Sequence, residues 1–91
     1  MMQDTQKIRI NPQYRLQWEP AQNCHVLLYP EGLVQLSETA TEILKRCQSP
    51  RTVGDLIEEL QQAYPDADGL PDDVRDFLQE AQQQEWIQID N

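Results

Sequence analysis

The feature that most constrains the fold of this chain is a change in the spacing of apolar residues between Tyr29 and Leu44. Before this stretch apolar residues alternate with a period of about two, as in strands, and after it they recur at about 3.6, as in helices. Pro30 and Gly32 predict a tight turn, and Leu33–Leu36 predicts a short strand after it. A short strand that leads directly into a helix leaves a backbone edge beside an apolar surface. We expect the protein to act there.

Helix-start signals follow this strand. Ser37 predicts an N-cap, and Glu38 lies in the first turn, where the helix dipole favours a negative charge. Thr52–Asp55 predicts a capping box for a second helix after the break at Pro50. The predicted helices begin at about Glu38, at about Val53 and at Pro71 or Asp72; the first ends at about Arg46 and the third at Gln84.

Two more strands are predicted before the turn. Tyr14–Trp18 alternates and places Tyr14, Leu16 and Trp18 on one face, and His25–Tyr29 is apolar almost throughout. Trp86–Ile89 is either a final strand or an apolar anchor. The pattern predicts an α+β, winged-helix-like fold, with a three-stranded antiparallel sheet followed by a three-helix bundle. We expect residues 1–13 to form a flexible N-terminal arm and residues 14–91 a single domain. The predicted core is Leu16, Trp18, Leu28, Leu44, Leu56, Ile57, Leu60 and Phe77.

The charge is distributed unevenly. The net charge is −9, and residues 52–91 carry eleven acidic side chains but only one basic one, Arg75. An acidic helical half repels phosphate backbones, so we expect no nucleic-acid partner.

The apolar runs and the cysteines of the sequence indicate in which compartment the protein acts. No apolar run approaches the ~20 residues of a membrane span, and no signal-peptide pattern opens the sequence. Cys24 and Cys47 do not form a disulfide framework. We therefore expect a soluble, cytoplasmic protein without a membrane partner.

The sequence offers no convincing catalytic or metal site. Cys24 and His25 are adjacent in a strand and point to opposite faces, so they do not form a nucleophilic pair. Zinc needs at least three protein ligands, and the third would have to be Cys47, on the inward stripe of a helix. We expect no enzymatic activity, no metal and no cofactor.

The short strand Leu33–Leu36 is the candidate binding element. It is the last strand of the predicted meander, so the order of the strands predicts that it lies at an edge of the sheet. Edge strands are usually protected by charge or proline, and this strand has neither. Its backbone is therefore a candidate for pairing with another chain.

Several motifs resemble one known family. They are Tyr14–Glu19, Leu28–Gly32, Leu36–Ala40, Arg51–Val53, Asp73-Val74, Phe77-Leu78 and Trp86-Ile87. Together they make the chain similar, from Tyr14 to Ile87, to the PqqD family, pyrroloquinoline quinone (PQQ) biosynthesis protein D. Gln48–Pro50 departs from the acidic-glycine turn that relatives often have at this loop.

The resemblance implies a function. It implies a non-catalytic chaperone, a recognition element of ribosomally made, modified peptides, that binds the precursor peptide PqqA by strand addition. It also implies presentation of PqqA to the radical SAM enzyme PqqE, which joins a glutamate to a tyrosine. The peptide site that it implies here comprises Glu31, Gly32, Leu33, Val34, Gln35 and Leu36, with Arg75, Leu78, Gln79 and Gln82 on the third helix.

Two other hypotheses remain open at this point. A winged-helix DNA-binding regulator would need a basic recognition helix, whereas the third predicted helix is acidic. A small dimerisation subunit would use the apolar edge for a second copy. We expect a monomer, with an edge-paired dimer as the alternative.

Overall fold

The computed structural model of the chain describes residues 2–90, which form six strands and three helices. The elements are β1 (Lys7–Ile10), β2 (Arg15–Glu19), β3 (Cys24–Tyr29), β4 (Gly32–Gln35), α1 (Glu38–Lys45), β5 (Arg51–Thr52), α2 (Val53–Ala63), α3 (Leu70–Gln83) and β6 (Ile87–Ile89). The α+β class predicted from the sequence is confirmed, but the strands form two small antiparallel sheets instead of one.

The first sheet is the predicted three-stranded meander. Its strand order is β2-β3-β4, so β3 is central and β4 lies at one margin. Leu27 of β3 faces Leu16 of β2 on one side and Val34 of β4 on the other. This cross-strand row is apolar and joins the sheet to the core, in which Leu27 is fully buried.

The second sheet includes residues for which the sequence predicted a flexible arm. Within residues 1–13, Lys7–Ile10 form the ordered strand β1. Strand β1 lies between β5 and β6, and Ile8 is fully buried opposite Arg51 and Ile89. A short strand is stable only when neighbouring strands pair with it, and β5 and β6 do so here. Both come from distant parts of the chain, so the sequence around β1 does not reveal them. Trp86–Ile89 accordingly contributes a strand, β6. Met1, within the predicted arm, and Asn91, at the end of the predicted domain, lie outside the described residues.

The helix starts follow the local signals. The hydroxyl of Ser37 accepts from the backbone N–H of Ala40 at 3.1 Å, and that of Thr52 accepts from the N–H of Asp55 at 3.1 Å. Both predicted N-caps are confirmed. Helix α3 begins one or two residues earlier than predicted, after Gly69, whose φ of 68° lies in the left-handed region.

The core lies between the two sheets and the helices. Four of the predicted core residues are buried: Leu44, Leu56, Ile57 and Leu60. Leu16, Leu28 and Phe77 are only half-buried.

Trp18 does not belong to the core. It is 48% exposed, and its ring packs edge-on against His25 with the ring centroids 5.2 Å apart. The prediction for Trp18 is wrong because alternation identifies the face of a strand and not whether a helix covers that part of the face.

The two cysteines lie in different environments. Both are free; Cys47 is fully buried and Cys24 is half-buried. Burial raises the pKa of the Cys47 thiol to about 12, despite the nearby Arg51 charge that acts to lower it.

We therefore predict that only one thiol of the folded protein reacts with DTNB. The reactive species is the thiolate, and Cys47 neither forms it readily nor is accessible. Cys24→Ser should abolish the reaction, whereas Cys47→Ser should leave it unchanged, and denaturant should expose both thiols in the parent. Two rapidly reacting thiols in the native protein would contradict the burial of Cys47.

Candidate functional site

The outer side of β4 presents unpaired backbone groups. Among residues 2–90 no strand pairs with β4 other than β3. The N–H of Leu36 donates to the carbonyl of His25 at 3.0 Å. Because pairs alternate along an antiparallel ladder, Val34 also faces β3, whereas the N–H and C=O groups of Leu33 and Gln35 point outward. The predicted edge is confirmed, and its two outward residues are now identified.

The edge carries no charge and is held at both ends. At the start the chain turns from β3 into β4, with Tyr29 paired to Gly32. At the end Leu36 is buried, and the Ser37 cap joins the strand to α1. Leu33 is 40% exposed. The edge is therefore a fixed, uncharged strand with free backbone hydrogen-bonding groups, which is the geometry that strand addition requires.

An apolar groove opens close to the end of β4. Its volume is about 460 Å³. Its lining includes Glu38 and Thr39, the first residues of α1, and residues of α3 on the opposite wall. The lining residues are Glu38, Thr39, Glu42, Ile43, Leu60, Tyr64, Ala67, Asp68, Leu70, Asp73, Val74 and Phe77. We call this the α1–α3 groove.

The rim of the α1–α3 groove is acidic. Among the described residues, the charged ones in its lining are Glu38, Glu42, Asp68 and Asp73, all of them acidic. Glu42 is engaged by Arg46, whose hydrogen bond and charge hold the pKa of the Glu42 carboxyl below its usual range. The groove thus combines an apolar interior with a negative entrance.

The four helix residues that the resemblance implies for the site do not share one open surface. Leu78 is fully buried in the core, so its side chain is not part of an open surface. The guanidinium of Arg75 pairs with Asp4 at 3.1 Å and with Asp72 at 3.5 Å. Gln79 is exposed and follows Arg75 by one turn, on the flank that faces the N-terminal segment.

Gln82 is exposed on that same flank, two turns after Arg75. The flank of α3 that borders α1 instead carries Asp73 and Phe77. Phe77 is half-buried, and its ring lies 6.4 Å from that of Trp86, centroid to centroid. The sequence had assigned Phe77 to the core. The position of Phe77 at one side of the apolar stripe was a sign that it could lie at the border of the core. The stripe alone does not tell which neighbouring element covers that side.

The remaining predicted residues lie together on the first sheet. Glu31, in the turn, and Gly32 are exposed, and Val34 is half-buried.

In the described part of the chain, no group of three His, Cys, Asp or Glu side chains could hold a metal ion. Nor is any helix there long and apolar enough to cross a membrane.

The fold and the site define a small α+β domain with an open sheet edge at β4 and an apolar groove between α1 and α3. Comparison with known proteins agrees with this. The family model described as coenzyme PQQ synthesis protein D (PqqD) matches residues 24–87. The chain belongs to the PqqD family.

Sequence relatives support the assignment. The chain is 49% identical to a protein of Klebsiella pneumoniae over 86 residues, which covers 94% of each chain. It is 51% identical to a protein of Acinetobacter baylyi over 77 residues, covering 85% of this chain and 78% of the relative. It is 49% identical to a protein of Stutzerimonas stutzeri over 76 residues, covering 84% of this chain and 83% of the relative. All three relatives carry the name PqqA binding protein.

A solved structure has the same fold. It is the solution NMR structure of the PqqD truncation of Methylobacterium extorquens PqqCD, described as a functional and stand-alone RiPP recognition element. The TM-score is 0.77 at 28% identity, and the match covers 97% of this chain and 95% of the other.

Proposed function

We propose that this protein binds the precursor peptide PqqA in PQQ biosynthesis, and that the peptide adds as a strand to the outer side of β4. The observation that carries the proposal is the open, uncharged β4 edge, with outward backbone groups at Leu33 and Gln35. Strand addition draws affinity from such groups and specificity from side-chain pockets beside them. The names of the relatives supply the identity of the peptide.

The α1–α3 groove is the side-chain pocket of this proposal. Its walls include Ile43, Val74 and Phe77. Its lining begins at Glu38, three residues after the last residue of β4. An apolar side chain of the added peptide would be buried there, where each buried CH₂ group contributes ~0.8 kcal/mol. The proposed site is therefore Glu31–Leu36 together with the Phe77 flank of α3, in place of the Arg75 flank.

The protein would act without catalysis or cofactor, in the cytoplasm, and would present PqqA to PqqE. The first sheet would hold the peptide through β4, with the helices beside it, and the bond-forming chemistry would belong to the enzyme. We expect the free protein to be a monomer. A second copy paired at β4 would occupy the same edge, so such a dimer would compete with the peptide. The acidic helical half argues against the DNA-binding alternative.

Amide hydrogen exchange tests the proposal directly. In the free protein the amides of Val34 and Leu36 should be protected, whereas those of Leu33 and Gln35 should exchange rapidly because they point outward. Saturating PqqA should protect Leu33 and Gln35 as well. Strand β2, at the other edge of the same sheet, is the internal control and should not change. Protection that appears on β2 alone, or nowhere in the first sheet, would contradict strand addition at β4.

A pair of helix variants tests the groove. Phe77→Ala should weaken PqqA binding by roughly tenfold, corresponding to ~1.4 kcal/mol, while the matched control Gln79→Ala should leave it unchanged. Calorimetric titration measures both, and denaturant unfolding establishes that both remain folded. The opposite order of effects would place the peptide on the Arg75 flank.

A further inference from the structure

A second concave surface lies where the two sheets meet, away from β4. It has a volume of about 470 Å³ and is formed by the end of β1, the connection to β2, β2 itself and the loop between α1 and β5. The lining residues are Arg9, Ile10, Asn11, Pro12, Tyr14, Arg15, Leu16, Gln48 and Pro50. We call this the Arg9–Arg15 cleft.

The charge of the cleft is opposite to that of the protein as a whole. Its lining contains two arginines and no acidic residue, in a chain of net charge −9. Arg46, Arg51 and Arg75 each form an ion pair with a carboxylate. None of the ion pairs within residues 2–90 includes Arg9 or Arg15.

Arg9 also has an unsatisfied donor. Its Nε is buried and has no hydrogen-bond acceptor among the described residues, and no other side-chain nitrogen or oxygen there is buried in this way. Buried donors are normally paired, and this one finds no acceptor among the described residues, so the chain itself does not neutralise Arg9. A guanidinium accepts nothing and presents several N–H donors in a planar fork, which matches the two oxygens of a carboxylate.

The connection between the two arginines is held in place by Asn11. Its side-chain amide donates to the carbonyl of Glu85 at 2.8 Å, and its backbone N–H donates to the carbonyl of Trp86 at 2.9 Å. Its side-chain oxygen accepts from the N–H of Gln13 at 3.0 Å. Asn11 is 8% exposed. Asn11 therefore fixes this side of the cleft to the connection between α3 and β6.

We propose that the Arg9–Arg15 cleft binds carboxylate side chains of an acidic segment of a partner protein. The guanidinium groups would pair with carboxylates, and the apolar wall around Tyr14, Leu16 and Pro50 would contact the stems of the same side chains. A free inorganic anion would make no use of that wall. A nucleic acid would be repelled by the acidic helical half.

The cleft leaves the β4 edge free. Arg15 belongs to β2, which is separated from β4 by β3, so the two edges of the sheet are about 10 Å apart. The protein can thus hold a peptide on β4 and an acidic segment of a second protein at the cleft at the same time. This inference does not depend on the proposed function, since it concerns different residues.

A titration with a synthetic tetraglutamate peptide, followed by NMR of the arginine Nε–H signals, tests the proposal in the full chain. The Arg9 and Arg15 signals should shift, and the effect should diminish as salt is raised. A tetraglutamine peptide should cause no shift. Arg9→Gln and Arg15→Gln should each weaken tetraglutamate binding about tenfold. Arg75→Gln removes the same charge at a distant, paired arginine and should have little effect.

Other outcomes of this experiment would overturn the proposal. Inorganic phosphate that shifts both signals at the same concentration as tetraglutamate would show a general anion site. Equal loss of binding in Arg75→Gln would show attraction by overall charge and not by the cleft. If Arg9→Gln does not fold, as judged by its amide spectrum, Arg15→Gln decides, because Arg15 is exposed and its removal leaves the core untouched. Unchanged binding in a folded Arg15→Gln would exclude the cleft.

Discussion

Replacement of Leu78 by alanine is expected to lower the free energy of unfolding by about 2–5 kcal/mol. Leu78 is fully buried, and α3 packs through it, Val74 and Ala81 against the rest of the core. The truncation removes apolar contacts and leaves a cavity that the surrounding side chains fill only in part. A domain of this size has a total stability of about 5–15 kcal/mol, so the loss should be large enough to measure by urea unfolding.

The neighbouring position provides the control. Gln79 is exposed on the same helix, and Gln79→Ala should change stability by less than about 0.5 kcal/mol. The comparison also decides between two roles for Leu78. A core residue costs stability when truncated, whereas a residue of an open peptide-binding face costs affinity. A stable Leu78→Ala protein that binds PqqA poorly would support the helix face implied by the family resemblance and contradict the burial of Leu78.

Proline substitution along β4 is expected to separate folding from binding. Val34→Pro should disrupt the first sheet, because the N–H of Val34 faces β3 and its loss leaves the carbonyl of Leu27 without its partner. Gln35→Pro should stay folded, because its N–H points away from the sheet, where an edge strand tolerates proline. PqqA affinity should fall in Gln35→Pro, since each lost backbone hydrogen bond is worth about 0.5–1.5 kcal/mol and the ring obstructs the added strand.

Circular dichroism identifies the folded variants, and calorimetry with PqqA measures their affinities. Gln35→Ala is the matched control, because it removes the contact of the side chain with Gln22 while keeping the backbone donor. Leu33→Pro, at the other outward position, should behave like Gln35→Pro. Folded proline variants that bind PqqA as well as the parent would show that the peptide does not pair with β4. A folded Val34→Pro would show that the assignment of inward and outward groups is reversed.

Local chemistry in the sequence determined much of the fold around the site. The meander β2–β4, the turn before β4 and the caps at Ser37 and Thr52 depend on residues close in the chain. Alternation, turn residues and side-chain caps act within a few residues, so a single sequence reveals them. The position of β4 at a sheet margin follows from the same pattern, because the last strand of a short meander has one neighbour. The backbone part of the candidate site was therefore predictable.

Tertiary structure alone decided the rest. Strand β1 is ordered by β5 and β6, which lie more than forty residues later in the chain, and no local pattern announces such a pairing. The apolar stripe of α3 identified an inward side, but only packing set Phe77 beside α1 and Arg75 beside Asp4. The exposed ring of Trp18 has the same origin. Periodicity describes how an element is divided into faces, and the distant elements that pack against those faces determine which of them become core, groove or open surface.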